Sequence, residues 1–321
     1  MLSHAHATQL RTKPDKGDDE WVNEARAKVY ASIDPLDEQG FVRLGKPKVG
    51  DWLFVYKENP QTLERYKLAT PLRPDAKRRV IVLQPLGAFD AEKKQVLEKL
   101  CGFAAVFFQL PARIADPLPL EVPGQQLEKL VPLGNRHGYY NHQYDGNKIM
   151  QLLLQPKLPD DAAMYMGVTL EDLCTAEVTF AFGVASLDKR VAVMSLARFY
   201  REFWGGKSDS DDNILALRRT FKVFNHESAH MLGLTHCVFY RCSMNGSNDL
   251  TETDGAPMDH CPVCHRKLMW NIGFDATKRY QQLATFYRAL DLCPEADWAE
   301  KRAQRWAKVV ETEKLKKSGD E

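Results

Sequence analysis

The stretch His226-Glu-Ser-Ala-His230-Met-Leu-Gly-Leu-Thr-His236 carries the most informative spacing in this chain of 321 residues. Residues 226 and 230 are four apart, so on a helix both imidazoles project from one face towards a common point. Gly233 follows where the chain must leave that helix, because glycine accepts the left-handed conformation of a helix end at little steric cost. The turn then returns His236 towards the first two histidines. We therefore predict that His226, His230 and His236 bind a zinc ion and leave its fourth position open for water.

Glu227 lies directly after the first of these histidines, where its carboxylate can reach a zinc-bound water molecule rather than the metal. Zinc lowers the pKa of such a water to about 7, so a carboxylate can take its proton and return it to the leaving amine. The pattern predicts a zinc-dependent peptide hydrolase in which zinc-bound water, activated by Glu227, attacks a peptide carbonyl. A lone histidine in an apolar helix is more often a core residue, but the glycine and third histidine at fixed offsets argue against coincidence.

A cluster of cysteines begins at the residue after His236, and it contains four of the seven cysteines in the chain. Its spacing is C-x4-C, then 18 residues, then C-x2-C, which is typical of a closed four-cysteine zinc site. We predict a second, structural zinc that fastens the end of the helix to the following loop. Two disulfides or four buried thiols are the alternatives, and a reducing compartment argues against the disulfides. The predicted ligands are Cys237, Cys242, Cys261 and Cys264.

Other histidines and cysteines are assigned no chemistry. His260 and His265 flank the last cysteine pair and could substitute as ligands, but four cysteines already suffice, so we expect both at the surface. The remaining cysteines are scattered and are expected to be structural: Cys101, Cys174 and Cys293.

Composition limits the class of protein. Apolar residues make up 44% of the chain and charged residues 27%, as in ordinary globular proteins, and the formal net charge is +1. Such a charge gives no general attraction to nucleic acid or anionic membrane, and residues 243–260 of the cysteine-rich region carry acidic side chains without Lys or Arg. No apolar run approaches the roughly 20 residues that span a bilayer, and the N-terminus lacks the apolar core of a secretory signal. We expect a cytosolic or nuclear protein that is not secreted and binds a peptide substrate rather than nucleic acid or membrane.

The positions of proline and glycine and the spacing of apolar residues predict four parts of the chain. These are a disordered tail (1–20), an N-terminal extension (21–76), a catalytic subdomain (77–236) and a C-terminal subdomain (237–321). Strands separated by helices predict an α/β or α+β fold that starts with a parallel βαβ unit. The predicted strands are 79–84, 103–108, 163–168, 178–186 and 191–196, the last two forming a hairpin. The predicted helices are 20–33, 90–100, 143–154, 214–232 with its cap in 208–212, 276–290 and 297–314.

Taken together, the extended histidine motif, the adjacent Cys237, the Cys242-Ser-Met244 triplet and Cys261-Pro-Val-Cys264 resemble the archaemetzincins, a branch of the metzincin metalloproteases. The stretch Cys242-Ser-Met-Asn-Gly-Ser-Asn248 is similar to the eukaryotic members. The resemblance implies a mixed, mostly parallel sheet with one antiparallel edge strand, an active-site helix and a small zinc-stapled C-terminal part. It also implies that Met244 forms the Met-turn beneath the zinc histidines, and that an edge strand within 178–186 binds the backbone of short peptides.

An inactive protein is the main alternative to an enzyme. The fold and its two zinc ions could persist in an interaction module that has lost proteolysis, and the cysteine cluster taken alone could belong to a nucleic-acid-binding ribbon. The acidic loop argues against the ribbon. The intact Glu227 favours the enzyme, because a scaffold would not need it. The sequence leaves the oligomeric state, the substrate and any latency mechanism open.

Overall fold

The structure is a computed structural model that describes residues 9–10, 16–130 and 142–318. Over these ranges the α-helices are α1 (Lys16–Ser32), α2 (Pro35–Glu38), α3 (Trp52–Val55), α4 (Leu63–Leu68), α5 (Ala91–Phe108), α6 (Gly146–Lys148), α7 (Ser210–Met231), α8 (Leu250–Gly255), α9 (Pro262–Ile272), α10 (Ala276–Arg288) and α11 (Cys293–Ser318). A π-helix spans Ile149–Leu154, and 3-10 turns span Gln155–Lys157, Ala197–Phe199 and Arg201–Trp204. Among the described residues, no helix has both the length and the apolar character required to span a membrane.

The strands are β1 (Gln9–Leu10), β2 (Tyr56–Lys57), β3 (Val80–Leu86), β4 (Ala112–Ile114), β5 (Glu128–Leu130), β6 (His142–Asp145), β7 (Ala162–Thr169), β8 (Leu173–Cys174), β9 (Gly183–Ala185) and β10 (Val191–Ser195). By contact density the chain divides into two compact units. The first unit contains the chain up to Pro71, Val106–Gln109 and everything from Leu234 onward. The second unit contains Leu72–Ala105 and Leu110–Gly233.

A five-stranded sheet in the order β4-β3-β7-β10-β9 forms the centre of the second unit. β4, β3, β7 and β10 run parallel to one another, whereas β9 pairs with β10 in the antiparallel sense and ends the sheet. Every residue of β7 is buried, as expected for a parallel strand with both faces covered. The mixed, mostly parallel sheet with one antiparallel edge strand is thus confirmed, and the strand predicted within 178–186 is the three-residue β9.

The strand predicted at 103–108 is wrong, because α5 continues as one helix to Phe108. The apolar run fits a helix as well as a strand: Phe103 and Phe107 lie four apart and are both buried. The Phe103 ring stacks on Phe221 of α7, with centroids 4.3 Å apart and planes at 10°. The strand that follows α5 and pairs with β3 is β4, in which Ala112 lies opposite Ile81.

The helix predicted at 143–154 begins later than expected, since its first residues form β6. The buried amide of Gln143 donates hydrogen bonds to Asp172 Oδ2 and to the Thr179 carbonyl, both at 2.8 Å. Asp172 in turn accepts two hydrogen bonds from Arg198, at 2.6 and 2.7 Å, within the same buried network. These polar partners hold the residues before Gly146 in extended conformation. The apolar residues of the following π-helix supply core contacts: Ile149, Met150, Leu153 and Leu154.

α7 confirms the cap expected in the serine–aspartate run. The side chain of Asp209 accepts hydrogen bonds from the backbone N–H groups of Asp211 and Asp212, at 3.0 and 2.9 Å. The Asp212 carboxylate accepts from the Asp209 N–H at 3.2 Å, which completes a capping box. At its other end the helix stops at Met231, and Gly233 has the positive φ of 83° that the sequence predicted for it.

Helices make up most of the first unit, and α1 starts at Lys16, four residues before the predicted start. The rest of the expected disordered tail, residues 1–8 and 11–15, lies outside the described residues. A buried Asp37 connects distant parts of this unit: its Oδ1 accepts from Arg302 Nη2 at 2.8 Å and its Oδ2 from Arg266 Nε at 3.0 Å. Paired in this way, the charge of Asp37 is tolerated in the interior.

His260 and His265 are buried, so the expectation that both lie at the surface is wrong. His260 packs against Phe107, with ring centroids 5.4 Å apart, and His265 packs edge-on against Trp306 at 5.1 Å. Burial lowers the pKa of His260 to about 3, so its ring is neutral. The expectation of exposure rested only on four cysteines being sufficient as ligands, whereas His265 packs against Tyr280 of α10 and Trp306 of α11. Among the described residues, the ring nitrogens of the two histidines have no hydrogen-bond partner.

Candidate metal sites

The last two turns of α7 bring His226 and His230 together, as their spacing predicted. Their Nε2 atoms are 2.9 Å apart, and the rings are nearly perpendicular, with planes at 85°. Beyond the helix, the turn at Gly233 is closed by a hydrogen bond of 2.8 Å from its N–H to the His230 carbonyl. Each of His226, His230 and His236 offers a ring nitrogen within 4.8 Å of the others.

This histidine group fits a zinc ion. Nitrogen ligands bind zinc at about 2.0–2.1 Å, so tetrahedral ligands lie roughly 3.4 Å from one another. The observed separations are close enough for small side-chain rotations to reach that geometry. All three donors are imidazole nitrogens on one eleven-residue stretch, which is the ligand type of catalytic zinc sites.

Glu227 is buried, with 6% of its surface exposed, and burial raises the pKa of its carboxyl to about 8. It lies against the backbone of the edge strand β9. A Cβ atom added to Gly183 would come within 2.5 Å of Glu227 Cγ and 2.6 Å of its Oε1. Only glycine at position 183 therefore leaves room for the carboxylate where it is. Gly183 lies within the strand predicted at 178–186 but carried no predicted role, although a single glycine within a strand pattern can indicate a close backbone approach.

The four cysteines of the second cluster converge on one point. Their Sγ atoms lie within 4.8 Å of one another and all four residues are buried. Cys237 and Cys261 have sulfurs 3.6 Å apart, whereas a disulfide bond would require about 2.05 Å. None of the seven cysteines, all of which lie within the described residues, forms a disulfide bond, which argues against the disulfide alternative. Backbone N–H groups also point at this cluster, since those of Met244 and Cys261 approach Cys242 Sγ at 3.4 and 3.2 Å. Such donors stabilise a thiolate, the form that binds metal, and so oppose the burial that raises the pKa of the Cys242 thiol.

Met244 lies within this cysteine-rich turn and is fully buried. Its carbonyl accepts a hydrogen bond of 2.8 Å from the N–H of Cys237, so the turn is closed between the first cysteine and the methionine. The Asn245 side chain ties the same turn together, because its amide donates to the carbonyls of Cys237 and Tyr240 at 2.8 and 3.0 Å. The role of Met244 as the floor of a zinc site stays a prediction.

A carboxylate from the N-terminal extension contacts His236, and nothing in the sequence pattern signalled it. Glu58 Oε1 lies 2.6 Å from His236 Nδ1. The same oxygen accepts a hydrogen bond from the indole Nε1 of Trp52 at 2.9 Å. The Trp52 ring also packs edge-on against the His236 ring, with centroids 5.2 Å apart and planes at 77°.

Comparison with known proteins places these motifs in context. The model of the family described as Peptidase family M54 matches residues 130–270. The chain is 30% identical to human Archaemetzincin-2 over 262 residues, which cover 73% of this chain and 71% of that protein. It is 35% identical to the Archaemetzincin of Thermococcus kodakarensis over 149 residues, covering 46% and 78%. Among solved structures, the archaemetzincin of Archaeoglobus fulgidus complexed with malonate is similar at 25% identity and a TM-score of 0.45, covering 59% of this chain and 99% of that one.

Proposed function

The chain belongs to the archaemetzincins, peptidase family M54, and is a zinc metallopeptidase; on that premise we propose that His226, His230 and His236 hold its catalytic zinc and that Glu227 is its general base. The observation that carries the proposal is the convergence of three histidine nitrogens within 4.8 Å, on the stretch that also holds the buried Glu227. The alternative, a zinc-stabilised interaction module without proteolysis, would need the histidines but not the carboxylate.

When bound, zinc lowers the pKa of a water molecule to about 7 and polarises the carbonyl of a peptide substrate. In the proposed mechanism, a carboxylate oxygen of Glu227 accepts a proton from the attacking water. The protonated carboxyl then returns this proton to the nitrogen of the leaving amine. Burial raises the pKa of Glu227, which makes its carboxylate a stronger base towards the proton of the attacking water. Gly183 lets the carboxylate stay beside the edge strand while it does so.

The edge strand β9 is the proposed docking site for substrate backbone. It ends the sheet and runs antiparallel to β10, and added strands pair with such edges through main-chain hydrogen bonds. β9 has only three residues, Gly183–Ala185, so it offers backbone groups to a short stretch of peptide. Glu227 lies against the first of them. These observations support a preference for short peptides.

A second zinc is proposed at Cys237, Cys242, Cys261 and Cys264. Four buried sulfurs within 4.8 Å form a closed donor set with no position for substrate, as structural zinc sites do. Its role would be to hold the turn after His236 against the start of α9, where Cys261 is the N-cap residue. Purified protein should then contain about two zinc ions per chain, one for each donor group, with the cysteine-bound ion resisting mild chelation. A content of one ion would overturn the two-site proposal.

The catalytic assignment is tested by peptide-library cleavage with the wild type and Glu227→Gln. General-base catalysis contributes about 10²–10⁴-fold, so Glu227→Gln should lower the cleavage rate by that factor and keep its zinc. Glu98→Gln, which changes an exposed carboxylate on α5 in the same way, is the matched control and should cleave like the wild type. Equal cleavage by the wild type and Glu227→Gln would show that the base is assigned wrongly. A zinc-loaded wild type that cleaves no peptide would support the interaction module instead.

A further inference from the structure

We propose that Glu58, in the N-terminal extension, is a positioning residue for the zinc ligand His236. The inference rests on the proposed function, in which His236 binds the catalytic zinc, and it adds a residue from a segment 178 positions earlier in the chain. It gives the extension a task at the metal site, although the extension contributes no proposed metal ligand.

The contact between Glu58 and His236 defines which ring nitrogen is available to a cation. Because a carboxylate oxygen can only accept, Glu58 Oε1 at 2.6 Å favours the tautomer in which His236 Nδ1 carries the proton and donates a hydrogen bond to it. The Nε2 atom then keeps its lone pair, which is the form that binds zinc. Metal-binding histidines usually donate their other N–H to a carboxylate or carbonyl in this manner, which fixes the tautomer and the ring orientation.

Both side chains are nearly enclosed, with 9% of His236 and 8% of Glu58 exposed. Solvent therefore competes little for this hydrogen bond, and the charge of Glu58 is felt strongly by the ring. The direction of the carboxylate is also fixed, because the indole N–H of Trp52 donates to the same oxygen at 2.9 Å. Trp52 itself stacks on Tyr56, with centroids 4.0 Å apart and planes at 30°.

Contacts on both sides of Glu58 hold its segment to the chain before and after His236. Before Glu58, the N–H of Trp52 donates to Glu252 Oε1 at 2.8 Å, and the Trp52 ring lies so close to Gly246 that a Cβ there would clash with it. After Glu58, Gln61 Oε1 accepts from the N–H of Thr235 at 3.2 Å, one residue before the histidine. Because residues before and after Glu58 are held in this way, the contact between Glu58 and His236 belongs to the folded unit and is not a chance approach of a surface side chain.

The test compares the zinc affinity of the full-length wild type with that of Glu58→Gln and Glu58→Ala. Changes in partners of this kind cost about 10–100-fold in metal affinity. We expect Glu58→Gln near the lower end, since its amide oxygen still accepts hydrogen bonds, and Glu58→Ala near the upper end. The dissociation constant of the labile zinc is measured by competition with a chromophoric chelator. Glu64→Gln is the matched control, because it removes an exposed carboxylate of the same extension, and it should bind zinc like the wild type.

A spectroscopic measurement separates positioning from a merely structural role. Cobalt(II) loaded into the chelator-labile site alone should show a visible absorption band that shifts or broadens in Glu58→Ala and keeps its wild-type form in Glu64→Gln. An unchanged band with unchanged zinc affinity in both Glu58 variants would overturn the proposal, even if their melting temperatures fell. If Glu58→Ala does not fold, the affinity and band of Glu58→Gln decide the question.

His236→Ala distinguishes failure of this inference from failure of the proposed function. If the wild type contains a chelator-labile zinc that His236→Ala loses, then His236 is a ligand, and wild-type affinity in the Glu58 variants refutes the role of Glu58 alone. If His236→Ala binds the labile zinc as tightly as the wild type, the histidine assignment is wrong and the inference about Glu58 falls with it.

Discussion

A single methyl group at Gly183 tests where the carboxylate of Glu227 must lie. The added Cβ would come within 2.5 Å of Glu227 Cγ and 2.6 Å of Cδ and Oε1. Carbon atoms pack best at roughly 3.5–4.0 Å, so the side chain must retreat by about 1 Å. A misplacement of about 1 Å at a reacting group costs on the order of 10²-fold in rate. This corresponds to about 2.7 kcal/mol in the activation barrier.

The assay for Gly183→Ala compares peptide cleavage and zinc content with those of the wild type. We expect cleavage to fall by about 10²-fold with zinc retained, because the methyl group acts on the carboxylate and not on the histidines. Overpacking also costs about 1–3 kcal/mol of stability, so the free energy of unfolding is measured alongside. Gly45→Ala is the matched control: a Cβ there meets nothing within 4 Å, and its activity should equal that of the wild type.

A double variant shows whether the added methyl group acts through Glu227. If the methyl group acts through Glu227, then Gly183→Ala added to Glu227→Gln should lower the cleavage rate no further, because the affected group is already lost. Wild-type cleavage by Gly183→Ala would refute the proposed position of the base. A double variant well below Glu227→Gln alone would show that the methyl group acts on something else, such as substrate docking at β9.

Two further expectations concern stability and metal. Asp172→Ala leaves the buried Arg198 without its bidentate partner, which should lower the free energy of unfolding by about 3–5 kcal/mol. Asp161→Ala breaks the ion pair with Arg113, in which the side chains are 43% and 45% exposed, and should lower the free energy of unfolding by no more than about 1 kcal/mol. Equal decreases in the free energy of unfolding, measured with urea, would contradict this difference between a buried and an exposed ion pair. Cys264→Ser removes one of four sulfur donors, so it should reduce the zinc content by one ion and lower the melting temperature; an unchanged zinc content would show that the cluster binds no metal.

Short-range spacing explains what the sequence could predict of the sites. His226 and His230 lie one helical turn apart, and the four cysteines span residues 237–264, so a few local turns are enough to bring each set together. The capping box at Asp209 and the positive φ of Gly233 are likewise properties of a few neighbouring residues. Each of these features depends on residues that are close together in sequence, so the sequence alone is enough to predict it.

The errors arise where distant contacts decide the outcome. Residues 103–108 form an apolar run that is compatible with a strand or with the end of a buried helix, and a short run of this kind carries no period that separates the two. The burial of His260 depends on Phe107, more than a hundred residues away in sequence. The hydrogen bond from His236 to Glu58 joins residues 178 positions apart, and no local pattern encodes such a pair.

The first unit is built from the N-terminal and C-terminal parts of the chain, which are synthesised at different times on the ribosome. This unit combines the chain up to Pro71 with the chain from Leu234, so the second unit is synthesised between these two parts of the first. Asp37 precedes its buried partner Arg302 by 265 residues, and at about 5–20 residues per second that interval is roughly 10–50 s. During this time Asp37 is without its partner Arg302 of α11. A protein truncated before Arg302 would keep the whole histidine motif yet leave Asp37 without that arginine, a defect that would show as aggregation during expression.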